Sequence, residues 1–183
     1  MNKVFVFLAD GFEEIEGLTV VDFLRRAEID TVMVSVGDSK RIIGSHRIEV
    51  KADIMFHEVL EPEGSMFVLP GGMPGNLHLK EHEGLCKLLK KAYANGKYIA
   101  AICAAPTVLE ACGLLEGKKA TSYPAMEKEL VSADYQTDKV VADGKIITSR
   151  GMGTAIDFAA KMVEIFKGTD TKDELLDSIV YGD

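Results

Sequence analysis

The fold of this chain is decided by residues 98–106, which read Tyr98-Ile99-Ala100-Ala101-Ile102-Cys103-Ala104-Ala105-Pro106. The apolar first half predicts a buried strand. Pro106 suits the first turn of a helix, where its missing N–H would have had no partner. Small residues around Cys103 leave room for a tight backbone. We therefore expect a strand, a sharp turn and a helix, with the cysteine at the turn.

A thiol in that turn would have a defined chemical setting. It would lie at a helix N-terminus, whose unpaired amides and partial positive charge favour the thiolate. Cys103 is therefore a candidate nucleophile. A buried structural cysteine is the alternative, because free cysteines are among the residues most often found in protein interiors. The segment alone does not choose between the two.

Outward from this turn, the chain alternates between strand and helix patterns. Short apolar runs predict strands at 4–8, 31–36, 66–69 and 98–102, and amphipathic patterns predict helices that begin near 13, 83, 106, 154 and 172. A short strand at 120–123 and a short helix at 124–130 are expected, with a β-ribbon at 41–43 and 48–50 and a hairpin around Asp143-Gly144. In the first helix, the expected core residues are Ile15, Leu18, Val21, Phe23 and Leu24.

Alternation of this kind argues for parallel strands joined by right-handed crossovers. The predicted fold class is α/β, a single-domain three-layer sandwich over residues 1–183. Its sheet would be open and mostly parallel, with helices on both faces. In such folds, ligands bind beyond the carboxyl ends of the strands.

Composition and charge exclude several classes of protein. The 183 residues carry a net charge of −8 and no basic stripe, so neither nucleic acid nor an acidic membrane surface is an expected partner. We find neither a signal peptide nor an apolar run long enough to cross a membrane, and we expect a cytoplasmic protein. The three cysteines do not suggest a disulfide framework, and Cys86 and Cys112 are expected to be packing residues in helices.

Three stretches that follow strands would meet at one edge of the sheet, namely 10–16, 70–75 and 103–106. The first carries the carboxylates of Glu13, Glu14 and Glu16, and the sequence alone does not select one. A glutamate in an apolar pocket beside a thiol would have a raised pKa and could donate a proton at neutral pH. The alternative is that all three are solvated charges at a helix N-terminus.

An oxyanion formed by a nucleophilic cysteine would need hydrogen-bond donors. Gly72 offers an unobstructed backbone N–H in a loop rich in glycine and proline, and Ala104 offers the N–H directly after the cysteine. A plain turn is the alternative explanation of the glycine pair at 71–72.

Four motifs are spread over nearly the whole chain. They are Gly11-Phe12-Glu13-Glu14-Ile15-Glu16, Leu69-Pro70-Gly71-Gly72, Ala100-Ala101-Ile102-Cys103-Ala104-Ala105-Pro106 and Thr148-Ser149-Arg150-Gly151-Met152-Gly153-Thr154. Together they resemble the ThiJ/PfpI superfamily, and within it the branch of the parkinsonism-associated protein deglycase. The resemblance implies a flavodoxin-like or class I glutaminase-like fold and a homodimer. It also implies Cys103 as nucleophile, Glu16 as its acid/base partner, and the Gly72 and Ala104 amides as oxyanion donors.

Three positions depart from the family pattern. Ala104 stands where the protease-like branch has a histidine, and the last histidine in the chain is His82, so amidase or protease chemistry is disfavoured. Tyr123 stands where many relatives of the deglycase branch carry a histidine. A phenol can donate a hydrogen bond but is a poor base at neutral pH. Met152 replaces a proline common in relatives, and we expect no chemical consequence.

The resemblance implies a cofactor-independent enzyme of the glyoxalase III or deglycase type, whose substrate is a small aldehyde such as methylglyoxal or a glycated protein. A redox-sensing, chaperone-like protein that uses an oxidisable Cys103 is the alternative, and a thiamine-related role is a further one. No metal site is expected, because His78 and His82, although four residues apart, fit solvated or capping roles better. His46, in the predicted ribbon, and Tyr123 are candidates for lining the pocket.

Overall fold

A seven-stranded sheet forms the centre of the computed structural model, which describes residues 2–182. In order across the sheet, its strands are β10 (Val140–Asp143), β11 (Ile146–Ser149), β7 (Tyr98–Ile102), β6 (Gly64–Leu69), β1 (Lys3–Leu8), β2 (Asp30–Ser35) and β5 (Ile54–Met55). All neighbours pair in parallel except β10, which is antiparallel to β11. The mostly parallel sheet confirms the predicted fold class.

The remaining elements lie around this sheet. The helices are α1 (Glu14–Arg26), α2 (Gly75–Glu81), α3 (Glu83–Ala94), α4 (Pro106–Ala111), α5 (Ala155–Lys167) and α6 (Thr169–Ser178). Short 3-10 turns cover Phe56–Glu58, Glu61–Glu63, Pro124–Glu129 and Met152–Thr154. Two small ribbons pair β3 (Arg41–Ile43) with β4 (Glu49–Lys51), and β8 (Lys119–Ala120) with β9 (Asp134–Tyr135). The expected β3–β4 ribbon and the 143–144 hairpin are confirmed.

Apolar side chains fill a layer on each face of the sheet. Val4, Val6 and Leu8 of β1 join the layer formed with α1 and α5, whereas Phe5 and Phe7 join the layer formed with α3 and α4. Because β1 is covered on both faces, its sequence is a continuous apolar run rather than an alternating one. The same pattern made β6 and β7 recognisable.

The first turn of α1 reverses the expected burial. Ile15, which we expected in the core, is 50% exposed, whereas Glu14 and Glu16 on either side are 3% and 1% exposed. Hydrophobic periodicity places apolar side chains inward, and here two carboxylates occupy the inward positions instead. The functional site explains this reversal.

Other differences concern short elements. The chain forms α2 directly after the glycine-rich loop, where no helix was expected. The N–H of Asn76 donates to the carbonyl of Gly72 and so begins a helical turn, and the N–H of Gly75 donates to the carbonyl of Gly11 in another loop. The strand expected at 120–123 is confined to β8, and the expected helix at 124–130 is a 3-10 turn. Sequence patterns locate such short pieces poorly, because few residues carry the period.

The structure pairs Cys86 of α3 with Cys112 at the end of α4 as a disulfide, with Cα atoms 5.6 Å apart. Our expectation that both are packing residues is correct for their location, since each contacts the core layer on that face. The expectation that they are unpaired is wrong. Helical periodicity places each cysteine on its own helix, but it contains no information that α3 and α4 bring the two side by side. Of the described cysteines, Cys103 alone is free.

A membrane-spanning helix would need about 20 mostly apolar residues. Over residues 2–182, none of the helices combines the length and the hydropathy required to cross a bilayer.

Candidate active site

The carboxyl ends of β1, β6 and β7 lie side by side, because these three strands are neighbours in the sheet. The loops that follow them, at 9–13, 70–74 and 103–105, are therefore adjacent. A methyl group added at Gly71 would meet Cys103 Cβ at 2.7 Å and Glu16 Oε2 at 2.8 Å. The convergence predicted for the three stretches is thus present, and a side chain at residue 71 would fill the space between the cysteine and the glutamate.

Cys103 is held at the apex of the turn in a conformation that few side chains adopt. Its φ angle is +64°, in the left-handed region that costs energy for a residue other than glycine. Its N–H donates to Ser149 O (3.0 Å), and its carbonyl accepts from Tyr123 N (2.8 Å). The surrounding structure therefore fixes the strained cysteine from both sides, as expected for a nucleophile presented at a strand-to-helix turn.

Glu16 is the carboxylate that faces Cys103. Its Oε2 accepts a hydrogen bond from the N–H of Gly71 at 2.9 Å, whereas its Oε1 is buried without a hydrogen-bond partner. Burial raises the pKa of Glu16 to about 7, against the opposing effects of the Cys103 thiol and the Gly71 amide. The nearby charge of Glu13 raises it further. A carboxyl group with this pKa can both accept and donate a proton at neutral pH.

The surroundings of Cys103 oppose the thiolate that we expected a helix N-terminus to favour. Burial, followed by the adjacent Glu16 carboxylate, raises the pKa of the Cys103 thiol to about 12. The α4 helix is six residues long and begins at Pro106, three residues after Cys103. The two groups titrate as a pair, and they share one negative charge above about pH 7.

Two backbone amides lie close to the Cys103 thiol. The N–H groups of Gly72 and Ala104 both interact with Cys103 and lower its pKa, in opposition to burial. Gly72 has φ +94°, and a side chain there would meet the Phe12 carbonyl carbon at 2.6 Å. The loop must therefore be glycine to bring this amide against the turn. Donors in this position would stabilise an oxyanion formed when the sulfur adds to a carbonyl.

The three candidate carboxylates separate into three roles. Glu13 caps α1 by accepting from Glu16 N at 2.8 Å. Glu14 binds the tip of the β3–β4 ribbon, where its Oε1 accepts from His46 N at 2.7 Å. Burial opposes ionisation of Glu14, but hydrogen bonds from His46 and the backbone lower its pKa to about 2. Glu16 alone combines burial, a raised pKa and proximity to Cys103, which answers the question that the sequence left open.

The histidines contact other parts of the chain. His46 Nδ1 lies 2.9 Å from Glu14 Oε2 and 3.9 Å from Glu13 Oε1, so within its own chain the His46 side chain contacts the start of α1. Its role in lining the pocket stays a prediction. His78 Nδ1 lies 2.8 Å from Asp10 O, and His82 Nδ1 accepts from Leu85 N as the cap of α3. His82 lies between α2 and α3, whereas His78 lies within α2, so His78 and His82 do not share one helix face.

The segment 151–152 also borders the site, although the motif at 148–154 gave no indication of that position. A Cβ atom at Gly151 would lie 3.6 Å from the ring of Tyr123 and 3.9 Å from both Cys103 Sγ and Glu16 Oε1. Tyr123 is 50% exposed and thus flanks this opening. The N–H of Met152 lies near enough to Glu16 to lower its pKa, although it does not complete a hydrogen bond to Oε1. Proline has no N–H, so the variant Met152→Pro tests our expectation that Met152 has no chemical consequence.

Gly151→Ala is expected to block the substrate while leaving the fold intact. Residue 151 has an extended backbone with φ 163°, and the added methyl would make only ordinary contacts at 3.6–3.9 Å. Because that methyl would lie over the reacting atoms, we expect kcat/KM to fall about 10- to 100-fold, with the free energy of unfolding changed by less than about 1 kcal/mol.

Gly153→Ala is the matched control for this variant, since a Cβ atom there meets nothing within 4 Å. Turnover assays and denaturant unfolding of both variants make the comparison. Equal activity of the two would contradict the placement of the pocket over Gly151.

Met152→Pro removes the amide that lowers the pKa of Glu16. If this amide acts on Glu16, we expect the midpoint of the pH dependence of Cys103 alkylation to rise by about 0.2–0.5 pH unit. This is less than a complete hydrogen bond of about 1 kcal/mol would give, because the amide does not complete one to Oε1. Proline is tolerated because Met152 is the first residue of a 3-10 turn and the preceding glycine is extended. Met152→Ala retains the N–H, so an equal shift in both variants would show that the amide is not responsible.

The sequence of this chain is similar to those of proteins in one known family. A profile described as DJ-1/PfpI family matches residues 2–165. The protein dj-1beta of Drosophila melanogaster is 39% identical over 176 residues, which cover 95% of this chain and 94% of the relative. A protein named deglycase from Pyrococcus abyssi is 32% identical over 168 residues, covering 90% and 99% of the two chains.

Solved structures agree with this placement. A structure titled Toxoplasma gondii DJ-1, oxidized superposes with a TM-score of 0.95 at 36% identity, over 100% of both chains. Two Arabidopsis thaliana relatives, DJ-1 homologs B and A, are 38% identical to this chain, which spans only 39% and 43% of their lengths.

Proposed function

The chain belongs to the DJ-1/PfpI family, and from this premise we propose that it is a cofactor-independent enzyme that acts through Cys103 on 2-oxoaldehydes or on their adducts with proteins. Methylglyoxal is the simplest such substrate. A relative that is named a deglycase supports this class of reaction.

The single observation that carries the proposal is the unpartnered Oε1 of Glu16. It belongs to a side chain that is 1% exposed, beside the only free thiol among the described residues. Burying a carboxylate oxygen without a hydrogen bond costs free energy. The cost is accounted for if this oxygen exchanges protons with a substrate that is bound to the sulfur.

In the first step, the Glu16 carboxylate takes the thiol proton as the Cys103 sulfur attacks the aldehyde carbon. The oxygen of the aldehyde becomes an oxyanion near the amides of Gly72 and Ala104. Glu16 then gives the thiol proton to this oxygen, which yields a hemithioacetal and restores the Glu16 carboxylate. A resting thiol with a raised pKa suits this step, because the base is in place and deprotonates the nucleophile only as the bond forms.

In the second step, Glu16 removes the proton from the former aldehyde carbon and returns it to the adjacent carbonyl carbon. The hydroxyl proton passes from the oxygen on the first carbon to the oxygen on the second, and the product is a thioester of a 2-hydroxy acid on Cys103. Water then hydrolyses the thioester, releases lactate and regenerates the thiol. The overall reaction adds one water to methylglyoxal and needs no external oxidant or reductant.

A glutathione-free assay tests this proposal. Purified protein is incubated with methylglyoxal, and lactate is measured enzymatically, with boiled protein as the blank. Catalytic formation of lactate, many turnovers for each chain, is the expected result. Consumption of no more than one aldehyde per chain would contradict an enzymatic role.

A redox-sensing role is the second candidate, and one observation favours it. The same unpartnered Oε1 and the two amides close to the thiol could bind the oxygens of an oxidised cysteine. One structural neighbour is titled oxidized. Peroxide titration followed by intact mass would distinguish the roles: selective oxidation of Cys103 without lactate formation would favour the sensor.

We propose in addition that the protein is a homodimer, as the family resemblance implied. Three exposed isoleucines lie where α1 meets the β3–β4 ribbon, with Ile15 50%, Ile43 40% and Ile48 52% exposed. Exposed apolar side chains grouped in this way favour burial against a partner. Sedimentation velocity should give twice the mass of 19.9 kDa, and Ile48→Lys should shift the protein towards the monomer. A monomeric unmodified chain would contradict the proposal.

A further inference from the structure

A buried pair of polar side chains lies behind the two amides that face Cys103. Asn76 on α2 is 4% exposed and Thr107 on α4 is 2% exposed. The Asn76 side-chain amide donates to Thr107 Oγ1 at 3.1 Å. This hydrogen bond joins two helices that begin in different loops of the site.

Each member of the pair also holds one of those loops. The backbone N–H of Asn76 donates to the carbonyl of Gly72 at 2.8 Å. The hydroxyl of Thr107 donates to the carbonyl of Ala104, also at 2.8 Å. One continuous series of hydrogen bonds therefore runs from Gly72 through Asn76 and Thr107 to Ala104.

The pair is not an efficient device for stability alone. Asn76 Oδ1 is buried and has no hydrogen-bond partner, so the side chain retains part of its desolvation cost. An apolar residue of similar size would avoid that cost. A residue that keeps it is better explained by positioning, because a site needs its donors held closely.

We propose that Asn76 and Thr107 are positioning residues that fix the Gly72 and Ala104 amides at the correct separation around the Cys103 sulfur. The proposal rests on the proposed function for its catalytic consequence. Its direct consequence is for the thiol itself, since both amides stabilise negative charge on sulfur. Loosening either loop would move charge of the Cys103–Glu16 pair from sulfur to carboxylate.

Thr107→Val tests the proposal, because it removes the hydroxyl and retains the shape. We expect the rate of Cys103 alkylation by iodoacetamide, measured on the plateau of its pH dependence, to fall about threefold or more. Without the positioned amides the fraction of Cys103 present as thiolate decreases, and this decrease is larger than the gain in nucleophilicity of each thiolate. With methylglyoxal we expect kcat to fall about tenfold and KM to change much less. Thr107→Ser restores the hydroxyl and should recover most of both losses. Peptide mapping confirms that the label is on Cys103.

Thr31→Val is the matched control. Thr31 is also buried, and its hydroxyl donates to Ile29 O at 2.9 Å, but it lies on β2, away from both loops. This variant should keep the wild-type alkylation rate and kcat. Loss of both in Thr31→Val as well would show that any buried threonine hydroxyl has this effect, and the proposal would fail.

Asn76→Ala interrupts the same series from the other helix, so the test does not depend on one variant folding. Combined with Thr107→Val, it should add little, because both changes break one connection. Wild-type alkylation rates in both single variants would overturn the proposal. If the unmodified protein makes no lactate, the proposed function fails, while the alkylation rates still decide whether the pair positions the amides.

Discussion

Cys103→Ser is expected to lower kcat/KM for methylglyoxal by about 10³-fold or more. A serine hydroxyl is far less acidic than a thiol, and Glu16, with a pKa of about 7, is too weak a base to ionise it. The substitution changes one atom in a half-buried position, so we expect the free energy of unfolding to change by less than about 1 kcal/mol. Lactate formation and denaturant unfolding, measured on one preparation, separate loss of chemistry from loss of fold.

The same substitution at Cys86 is the matched control. Cys86 is partly buried on α3 and pairs with Cys112, outside the three loops of the site. Cys86→Ser should keep the activity at 25 °C and lower the stability, because it removes a covalent link between helices. Activity that survives in Cys103→Ser would show that the reaction does not use this sulfur.

The central sheet could be predicted from the sequence because each buried parallel strand leaves a continuous apolar run. Val4 to Leu8 and Met66 to Leu69 are such runs, and each ends at a loop of the site. The turn at Cys103 was predictable for a related reason: small residues and a proline permit few backbone paths. These features are local, so sequence patterns contain them.

Features that depend on contacts between distant segments could not be predicted. Glu16 is buried because Gly71, distant in sequence, donates to its carboxylate. Periodicity alone assigned that interior position to Ile15 instead. The pairing of Cys86 with Cys112, and the position of Gly151 over the sulfur, likewise depend on how the helices and loops assemble.

The influences that oppose the expected thiolate could not be predicted for a different reason. A helix N-terminus favours an anion mainly through the unpaired amides of its first turn, and burial of the anion opposes this effect. The sequence showed that a helix follows Cys103, but neither its length of six residues nor the depth of the thiol was visible. Charge at this site is governed by burial and by Glu16, and both are properties of the folded chain.

Glu16→Gln is expected to reduce kcat/KM about 10³-fold and to remove the rise in activity through pH 7. Activity requires one negative charge on the Cys103–Glu16 pair, and the pKa of about 7 belongs to the reaction of that pair. Below this value kcat/KM should fall about tenfold for each pH unit, whichever of the two atoms holds the proton. In Glu16→Gln, only the ionisation of the thiol remains, so residual activity should rise only at higher pH.

The same variant should be more stable than the unmodified protein in alkaline solution. Folding raises the pKa of Glu16 from the ordinary 4.5 to about 7. The stabilisation that this raised pKa gives is complete below pH 4.5 and is lost as the pH rises through 7. An uncharged glutamine avoids the loss, so at pH 8 we expect the free energy of unfolding to be higher by roughly 1–3 kcal/mol.

Glu13→Gln distinguishes a catalytic carboxylate from a nearby charge. Its side-chain oxygen can still accept the α1 cap hydrogen bond from Glu16 N. Loss of the Glu13 charge removes one influence that raises the pKa of Glu16, so the midpoint of the pH dependence of kcat/KM should fall while the maximum rate is kept.

Glu16→Gln should lose activity and gain stability, whereas a misfolded variant would lose both. A Glu16→Gln protein that is less stable than the unmodified protein at pH 8, and whose activity still rises through pH 7, would refute the assignment of Glu16.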